Sequence, residues 1–199
     1  MTECTGEEPA LRLAEAAQLA GAYRWTEHRL FELTGSWAGE EVEPAVQMHL
    51  DEVSSQHAWH ADVWAQRLPV LDDVDPDELT RPAGPALEPL LAVLSTTTGV
   101  VPSLAGLYRV VVPRLLVTYD RHLARAAPAT DGPTVRALRL LLRDELEGWQ
   151  AGERLLQSLL TGPDEVAAAA RVQERLEGAL AAGQPGEGLL RWPSAPPGA

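Results

Sequence analysis

One sixteen-residue stretch, residues 49–64, concentrates the side chains that could take part in metal or acid–base chemistry. It holds three of the chain's five histidines, together with three carboxylates and two tryptophans. At helical spacing His57 and His60 share a face, and His49, Glu52 and His60 lie on an overlapping stripe. A polar stripe of this kind indicates either a buried structural network or a ligand-binding site.

The length and composition of the chain predict a single domain. Its 199 residues are 45% hydrophobic, which suffices for one ordinary core but not comfortably for two. We expect a flexible acidic N-terminus over residues 1–9 and one helical domain over residues 10–184. A flexible Gly/Pro-rich tail is expected over residues 185–199.

Charge and cysteine content argue against several classes of function. The formal net charge of -13 opposes a nucleic-acid partner, because affinity for phosphates comes mostly from clustered cations. The single cysteine, Cys4, supports neither a disulfide framework nor a thiolate metal site. The N-terminus lacks the layout of a signal peptide, and no apolar run reaches the ~18 residues of a membrane span. These features predict a cytoplasmic protein with no membrane partner.

Helical periodicity runs through most of the chain, and no strand pattern accompanies it. Two long helical hairpins, A–B and C–D, are predicted, with a polar connection over residues 70–85 and a short helix over residues 86–94 between them. Gly35 is expected to close helix A and Pro113 to kink helix C. The predicted long helices are A (11–34), B (40–68), C (103–126), D (134–160) and an outer helix E (165–182).

Several enzyme motifs are absent. The chain has no glycine-rich dinucleotide fingerprint, no phosphate-binding loop, no Gly-x-Ser-x-Gly elbow and no His-Glu-x-x-His pair. In its two hairpins, its crossover-like connection and the acids and histidines of helices B and D, the chain resembles the ferritin-like superfamily over residues 11–160. That resemblance implies an all-α, ferritin-like four-helix bundle with a fifth C-terminal helix.

The resemblance also implies a set of metal ligands. In that superfamily a Glu from each of two helices and a Glu-x-x-His pair from each of the other two hold two metal ions. His57-x-x-His60 matches one pair with His in place of Glu, whereas Glu145 pairs with Gly148, so the second histidine is absent. The implied ligands of iron or manganese are Glu27, Glu52, His57, His60 and Glu145.

Three functional hypotheses follow from this interpretation. The first is an iron- or manganese-dependent oxidase, oxygenase or hydroxylase that acts on a small molecule. The second is a non-catalytic bundle in which Arg114 pairs with Glu145, and which acts through a protein partner or as a homodimer. The third is a carrier with a metal-free pocket lined by Trp59, Trp64 and Trp149.

Overall fold

Every regular element in the described part of the chain is helical, and no strand occurs there. The computed structural model describes residues 11–41, 43–70, 75–183, 189, 190 and 192. The predicted all-α class is therefore confirmed for these residues. The flexible terminus predicted over residues 1–9 and most of the tail predicted over residues 185–199 lie outside them.

Eight α-helices and one π-helical segment follow one another along the described chain. The short helices occupy the connection that the sequence predicts between the two hairpins. The elements are α1 (Leu13–Glu40), α2 (Pro44–Ala65), α3 (Pro76–Leu79), α4 (Leu87–Ser95), α5 (Val100–Gly106), the π segment (Leu107–Val111), α6 (Val112–Arg125), α7 (Gly132–Leu159) and α8 (Pro163–Gly183).

The α1–α2 hairpin corrects the predicted end of helix A. Helix α1 continues through Gly35 to Glu40, so Gly35 is not a terminating residue. A Cβ at Gly35 would lie 2.9 Å from the Ser54 side-chain oxygen on α2. The absence of a side chain at residue 35 thus permits close approach of the two helices. Gly35 is therefore needed for the contact between α1 and α2, and not as the helix cap that the local sequence pattern predicted.

The segment from Val100 to Arg125 forms the apolar centre of the fold. Its helix starts three residues before the predicted position, and the π segment ends at Val111, two residues before Pro113. The segment is long and apolar enough to pass a membrane-span test, but 61% of its most apolar window is buried inside the protein. Core helices pass the same test, so the observation does not indicate a membrane span.

Arg114, which the sequence analysis paired with Glu145 of helix D, forms an ion pair with Glu177 of α8 instead. Both carboxylate oxygens of Glu177 accept hydrogen bonds from Arg114 Nη2, at 2.6 and 2.5 Å. The predicted Arg114–Glu145 ion pair is therefore wrong. Helix α8 also buries Ala169, Val172 and Leu176, which lets it cover the core beside α5.

Tyr108, in the π segment, is held in place from several sides. Its backbone oxygen accepts a 2.7 Å hydrogen bond from Trp149 Nε1, and its hydroxyl lies 2.6 Å from His49 Nε2. A Cβ at Gly152 would fall 2.1 to 2.5 Å from three carbons of the Tyr108 ring. Helix α7 therefore needs a glycine at this position to pack against the π segment.

We expect Gly152→Ala to destabilise the protein by ~1 to 3 kcal/mol, because the buried Tyr108 ring must move to admit the new methyl group. Gly178→Ala is the matched control, since nothing lies within 4 Å of a Cβ there. Its higher helix propensity should stabilise α8 by ~0.5 to 1 kcal/mol. Urea unfolding measures both variants; equal behaviour of the two would contradict the packing argument.

Candidate metal centre

Helix α1 places the side chain of Glu27 in the protein interior. Tyr23, Glu27, Leu30 and Thr34 recur at helical spacing and are all buried, so the carboxylate emerges from an otherwise apolar stripe. Glu27 is 0% exposed. A carboxylate at such a position requires charged or hydrogen-bonding partners.

Helix α2 supplies two of those partners from one face. His57 and His60, which are three residues apart, are 2% and 0% exposed. His57 Nδ1 lies 2.6 Å from Glu27 Oε2, and His60 Nδ1 lies 3.5 Å from Glu27 Oε1. The Nδ1 atoms of both rings are thus directed towards the carboxylate of α1.

Helix α7 completes the group with Glu145, which is 4% exposed. Its Oε1 atom lies 3.1 Å from His60 Nδ1 and 3.4 Å from His57 Nδ1. One possible ligand atom from each of Glu27, His57, His60 and Glu145 falls within 4.8 Å of the other three. We call these four side chains the His2Glu2 group.

Aromatic side chains hold the carboxylate of Glu27 from the opposite side. The Tyr119 hydroxyl on α6 donates a short hydrogen bond to Glu27 Oε1 and accepts a 2.9 Å hydrogen bond from Trp64 Nε1. Tyr23 packs edge-on against Tyr119 with ring centroids 4.8 Å apart. Tyr23, Trp64 and Tyr119 are each 0% exposed, so they separate this side of the group from water.

The charges of the group shift the pKa values of Glu27, His60 and His57. Burial alone raises the pKa of Glu27, but the positive charges of His60 and His57, with their hydrogen bonds, outweigh burial and lower that pKa to about 2. Burial alone lowers the pKa of His60, but Glu27 and Glu145 outweigh it and raise that pKa to about 10. The same two carboxylates raise the pKa of His57 against its burial. Without a metal, two imidazoles whose protonated forms are favoured therefore lie against two carboxylates.

The donor set fits a metal ion. Two imidazole nitrogens and two carboxylate oxygens converge, and ligand bonds of ~2.1 Å place ligand atoms ~3.4 Å apart at tetrahedral positions and ~4.2 Å apart at opposite positions. The widest separation in the group, within 4.8 Å, would contract by up to about 0.6 Å to match opposite positions around an ion, or by up to about 1.4 Å to match tetrahedral ones. The described residues therefore include a buried group that could hold a metal ion.

The outer nitrogen of His60, unlike that of His57, has a carboxylate nearby. His57 Nε2 and His60 Nε2 are buried and form no hydrogen bond with a described residue. Asp144 Oδ2 lies 3.7 Å from His60 Nε2, where a small movement would create a hydrogen bond. A carboxylate beside the far nitrogen of a metal-binding His is a common means of orienting the ring.

The remaining predicted ligand, Glu52, does not join the group. It is exposed on α2, whereas His49 from the same stripe bonds to Tyr108. Gly148 stands where the superfamily pattern expects His, and a Cβ there would meet only Gln56 Oε1, at 3.5 Å. The structure thus brings together four of the five predicted ligands and adds no second Glu-x-x-His pair.

The sequence analysis did not predict the contacts that two neighbouring residues, Tyr119 and Asp144, make with the group. Tyr119 lies on the inward stripe of α6 with Leu115 and His122, but its hydrogen bond to Glu27 spans 92 residues. Asp144 is adjacent to a predicted ligand yet lies on a neighbouring face of α7. For Tyr119, the only signal in the sequence was a tyrosine on the inward-facing stripe of its helix. For Asp144, the local sequence held no signal.

The three tryptophans predicted to line a carrier pocket take different positions. Trp59 is 44% exposed, although its ring lies near that of His60. Trp64 is completely buried and bonded to Tyr119, whereas Trp149 donates to the backbone of Tyr108. The indole N–H groups of Trp64 and Trp149 therefore already donate hydrogen bonds within the protein, and neither is free to bind a ligand.

Comparison with known proteins assigns this chain to no family. The chain matches no protein-family model, no curated protein and no solved structure. The chemistry of the His2Glu2 group is therefore inferred from its own donor atoms.

We expect the metal-free protein to lose stability on the alkaline side of pH 6.5. Protonated His60 stabilises the fold fully below its unfolded pKa of 6.5, and this stabilisation is lost as pH rises towards the folded pKa of about 10. Urea unfolding in chelator should show a loss of ~1 to 3 kcal/mol between pH 6.5 and 9. His60→Gln should reduce this slope and leave the part contributed by His57, whose pKa is also raised, whereas His28→Gln, at an exposed position, should retain the full slope. A constant free energy of unfolding across this range would contradict the network.

Helix α6 contributes a third buried histidine, His122, whose pKa shifts in the opposite direction from those of His57 and His60. His122 is 0% exposed, and neither ring nitrogen has a hydrogen-bond partner among the described residues. Burial lowers the pKa of His122 to about 4; Asp131 opposes the shift and Arg125 adds to it. The ring packs between Tyr23 and Trp192, with centroids 5.7 and 6.3 Å away. His122 is therefore neutral in the folded protein at neutral pH.

Acid should destabilise the protein through His122. Because its folded pKa lies below the unfolded value of 6.5, its neutral form stabilises the fold above pH 6.5, and that contribution is lost as pH falls through about 4. We expect a loss of ~1 to 3 kcal/mol between pH 6.5 and 4. His122→Phe, which keeps an aromatic ring, should reduce the loss, and His28→Phe should not. Identical acid slopes in all three proteins would exclude His122 as the cause.

Proposed function

We propose that the chain is a ferritin-like metalloprotein that binds one iron or manganese ion in the His2Glu2 group. The single observation that carries the proposal is the convergence of Glu27, His57, His60 and Glu145 within 4.8 Å in a buried site. The long helices α1, α2 and α7, with the continuous segment from α5 to α6, correspond to the four helices of such a bundle. Helix α8 is then the fifth.

One ion rather than two is proposed because the fourth bundle position carries no ligand. Gly148 lacks the second histidine, and α6 presents Tyr119 where an acid would stand. Two carboxylates and two imidazoles suit iron or manganese. Carboxylate oxygens favour hard ions such as manganese, and imidazole is a usual ligand of iron. The rings offer Nδ1 to the ion, and Asp144 is positioned to orient His60 from its far side.

We propose oxidation of a small molecule with dioxygen as the reaction class. A bound redox-active ion would supply the one-electron chemistry that dioxygen requires. The protein's own residues hold that site dry: all four ligand side chains are at most 4% exposed, and Tyr119 fixes the outer oxygen of Glu27. Such burial favours small reactants at the ligand atoms. A cytoplasmic location and homodimer formation remain parts of the proposal, and the net charge of -13 disfavours nucleic acid.

A second candidate is a metal-free bundle that acts through a partner. It is favoured by the direct contacts of 2.6 Å between His57 and Glu27 and 3.1 Å between His60 and Glu145. Those contacts give each charge a partner without any ion, and a fully paired network can be retained for structure alone.

Metal analysis separates the two candidates. We expect protein purified from cells supplemented with iron and manganese to carry close to one equivalent of one of these ions. His57→Ala combined with His60→Ala should reduce it below about a tenth of an equivalent, because two of four ligands are lost. Glu52→Gln, on the same helix but outside the group, should retain the metal. Circular dichroism checks that each variant is folded.

Less than about a tenth of an equivalent of iron, manganese or zinc in the unmodified protein would refute the metal proposal and leave the ion-pair network. Zinc alone near one equivalent would preserve the site but exclude the redox role. Oxygen uptake by the iron-loaded protein, compared with the His57→Ala, His60→Ala variant, then tests the reaction class.

A further inference from the structure

The His2Glu2 group is less enclosed between α2 and α7 than on the side of Glu27. The three aromatic side chains on the Glu27 side are each 0% exposed. Between α2 and α7, by contrast, the ring of Trp59 is 44% exposed and lies 5.4 Å from the ring of His60. Asp144, whose side chain is 28% exposed, lies 3.7 Å from His60 Nε2. Among the described residues, a small molecule from solvent would therefore reach the group between these two helices.

Gly148 leaves a gap between the helices, one turn from Glu145. The two residues are three apart on α7, so they share a face of that helix. Apart from the adjoining backbone, a Cβ at residue 148 would have one heavy atom within 4 Å, Oε1 of Gln56, at 3.5 Å. Gly148 and Gln56 are both half-buried. The missing side chain thus leaves room for a small molecule beside a ligand of the proposed metal ion.

Gln56 supplies the polar group at this gap. It lies four residues before His60, so the two side chains share a face of α2. Its amide makes no hydrogen bond with another residue of the described chain. A side-chain amide has two N–H donors and an oxygen that accepts, and it carries no charge. It therefore suits a ligand with a hydroxyl, carbonyl or amide group.

The charges around the gap favour an uncharged ligand. When a divalent ion is bound, the imidazoles are neutral and the carboxylates of Glu27 and Glu145 balance the charge of the ion. An anionic ligand would be repelled by the partly exposed carboxylate of Asp144, and a cationic one by the ion. A neutral molecule meets neither repulsion.

We propose that the reactant of this site is a small uncharged molecule with a hydroxyl, carbonyl or amide group, which enters at the gap beside Gly148 and hydrogen-bonds to the Gln56 amide. The inference rests on the proposed metal function, because it names the substrate class of that same site. Gly148 provides the opening, and Gln56 determines the specificity.

Binding is measured by nuclear magnetic resonance on the full-length protein labelled with nitrogen-15, both metal-free and loaded with zinc. The side-chain amide resonance of Gln56 is identified by its loss in Gln56→Leu. The probes are propanamide, propionate and propylammonium, which have similar size and differ in charge. We expect propanamide to shift the Gln56 resonance saturably. The two ions should bind the zinc-loaded protein at least about tenfold more weakly, because of the repulsion described above.

Variants then test the two residues, with the indole resonance of Trp59 as the readout. Gln56→Leu, which is similar in size, should weaken propanamide binding about tenfold, because the hydrogen-bonding group is lost. Gly148→Leu should abolish binding by filling the gap, and Gly148→Ala should have a smaller effect. Two controls should bind as the unmodified protein does. Gln150→Leu changes an exposed residue of α7, and Gly178→Leu adds a side chain where nothing lies within 4 Å of a Cβ.

The outcomes separate this inference from metal binding. Bound metal without any effect of propanamide on the Gln56 resonance would overturn the inference and leave the metal site intact. Propanamide binding in a protein that takes up no metal would refute the metal function and support the binding site beside Gly148. Equal binding of propionate, or an equal loss in Gln150→Leu or Gly178→Leu, would also overturn the inference. If circular dichroism shows that Gly148→Leu does not fold, Gly148→Ala and Gln56→Leu provide the test.

Discussion

Mutual neutralisation of two carboxylates and two imidazoles in one buried volume is the constraint on which the structure depends. Glu27, His57, His60 and Glu145 come from three helices, and each would be costly to bury alone. Removing one partner of such a network typically costs ~3 to 5 kcal/mol, because the remaining charge stays buried and uncompensated. The relative positions of α1, α2 and α7 are therefore tied together by charge as well as by apolar contact.

The surrounding packing sets the environment in which those charges act. Tyr119, Trp64 and Tyr23 form an aromatic layer against Glu27, and a dry surrounding strengthens each electrostatic interaction within the group. Glycines allow the required approach of the helices, at Gly35 towards Ser54 and at Gly152 towards Tyr108. The same arrangement suits a metal ion, for which the imidazoles would give up their protons, and a metal-free ion-pair network.

The pattern of hydrophobic residues was sufficient for the helices but not for their ends or their long-range pairs. Gly35 has the local features of a helix end, yet it lies inside α1 because Ser54 packs against it. Arg114 was predicted to pair with Glu145, but α8 brings Glu177 to it instead. Glu52 shares a sequence stripe with the true group and is nevertheless exposed. A row of residues at helical spacing shows which side chains are adjacent on one helix. It does not show which of them faces another helix.

By itself the sequence determined the all-α class and the approximate helices, since these follow from residue type and a period of 3.6. The four residues of the candidate centre were among the five ligands that the ferritin-like resemblance implied. The tertiary structure alone decided that Glu27, of the several acids on α1, meets His57 and His60, and that Tyr119 supports it from α6. The physical reason is that these contacts join residues up to 92 positions apart, and only the packing of helices against one another fixes such distances.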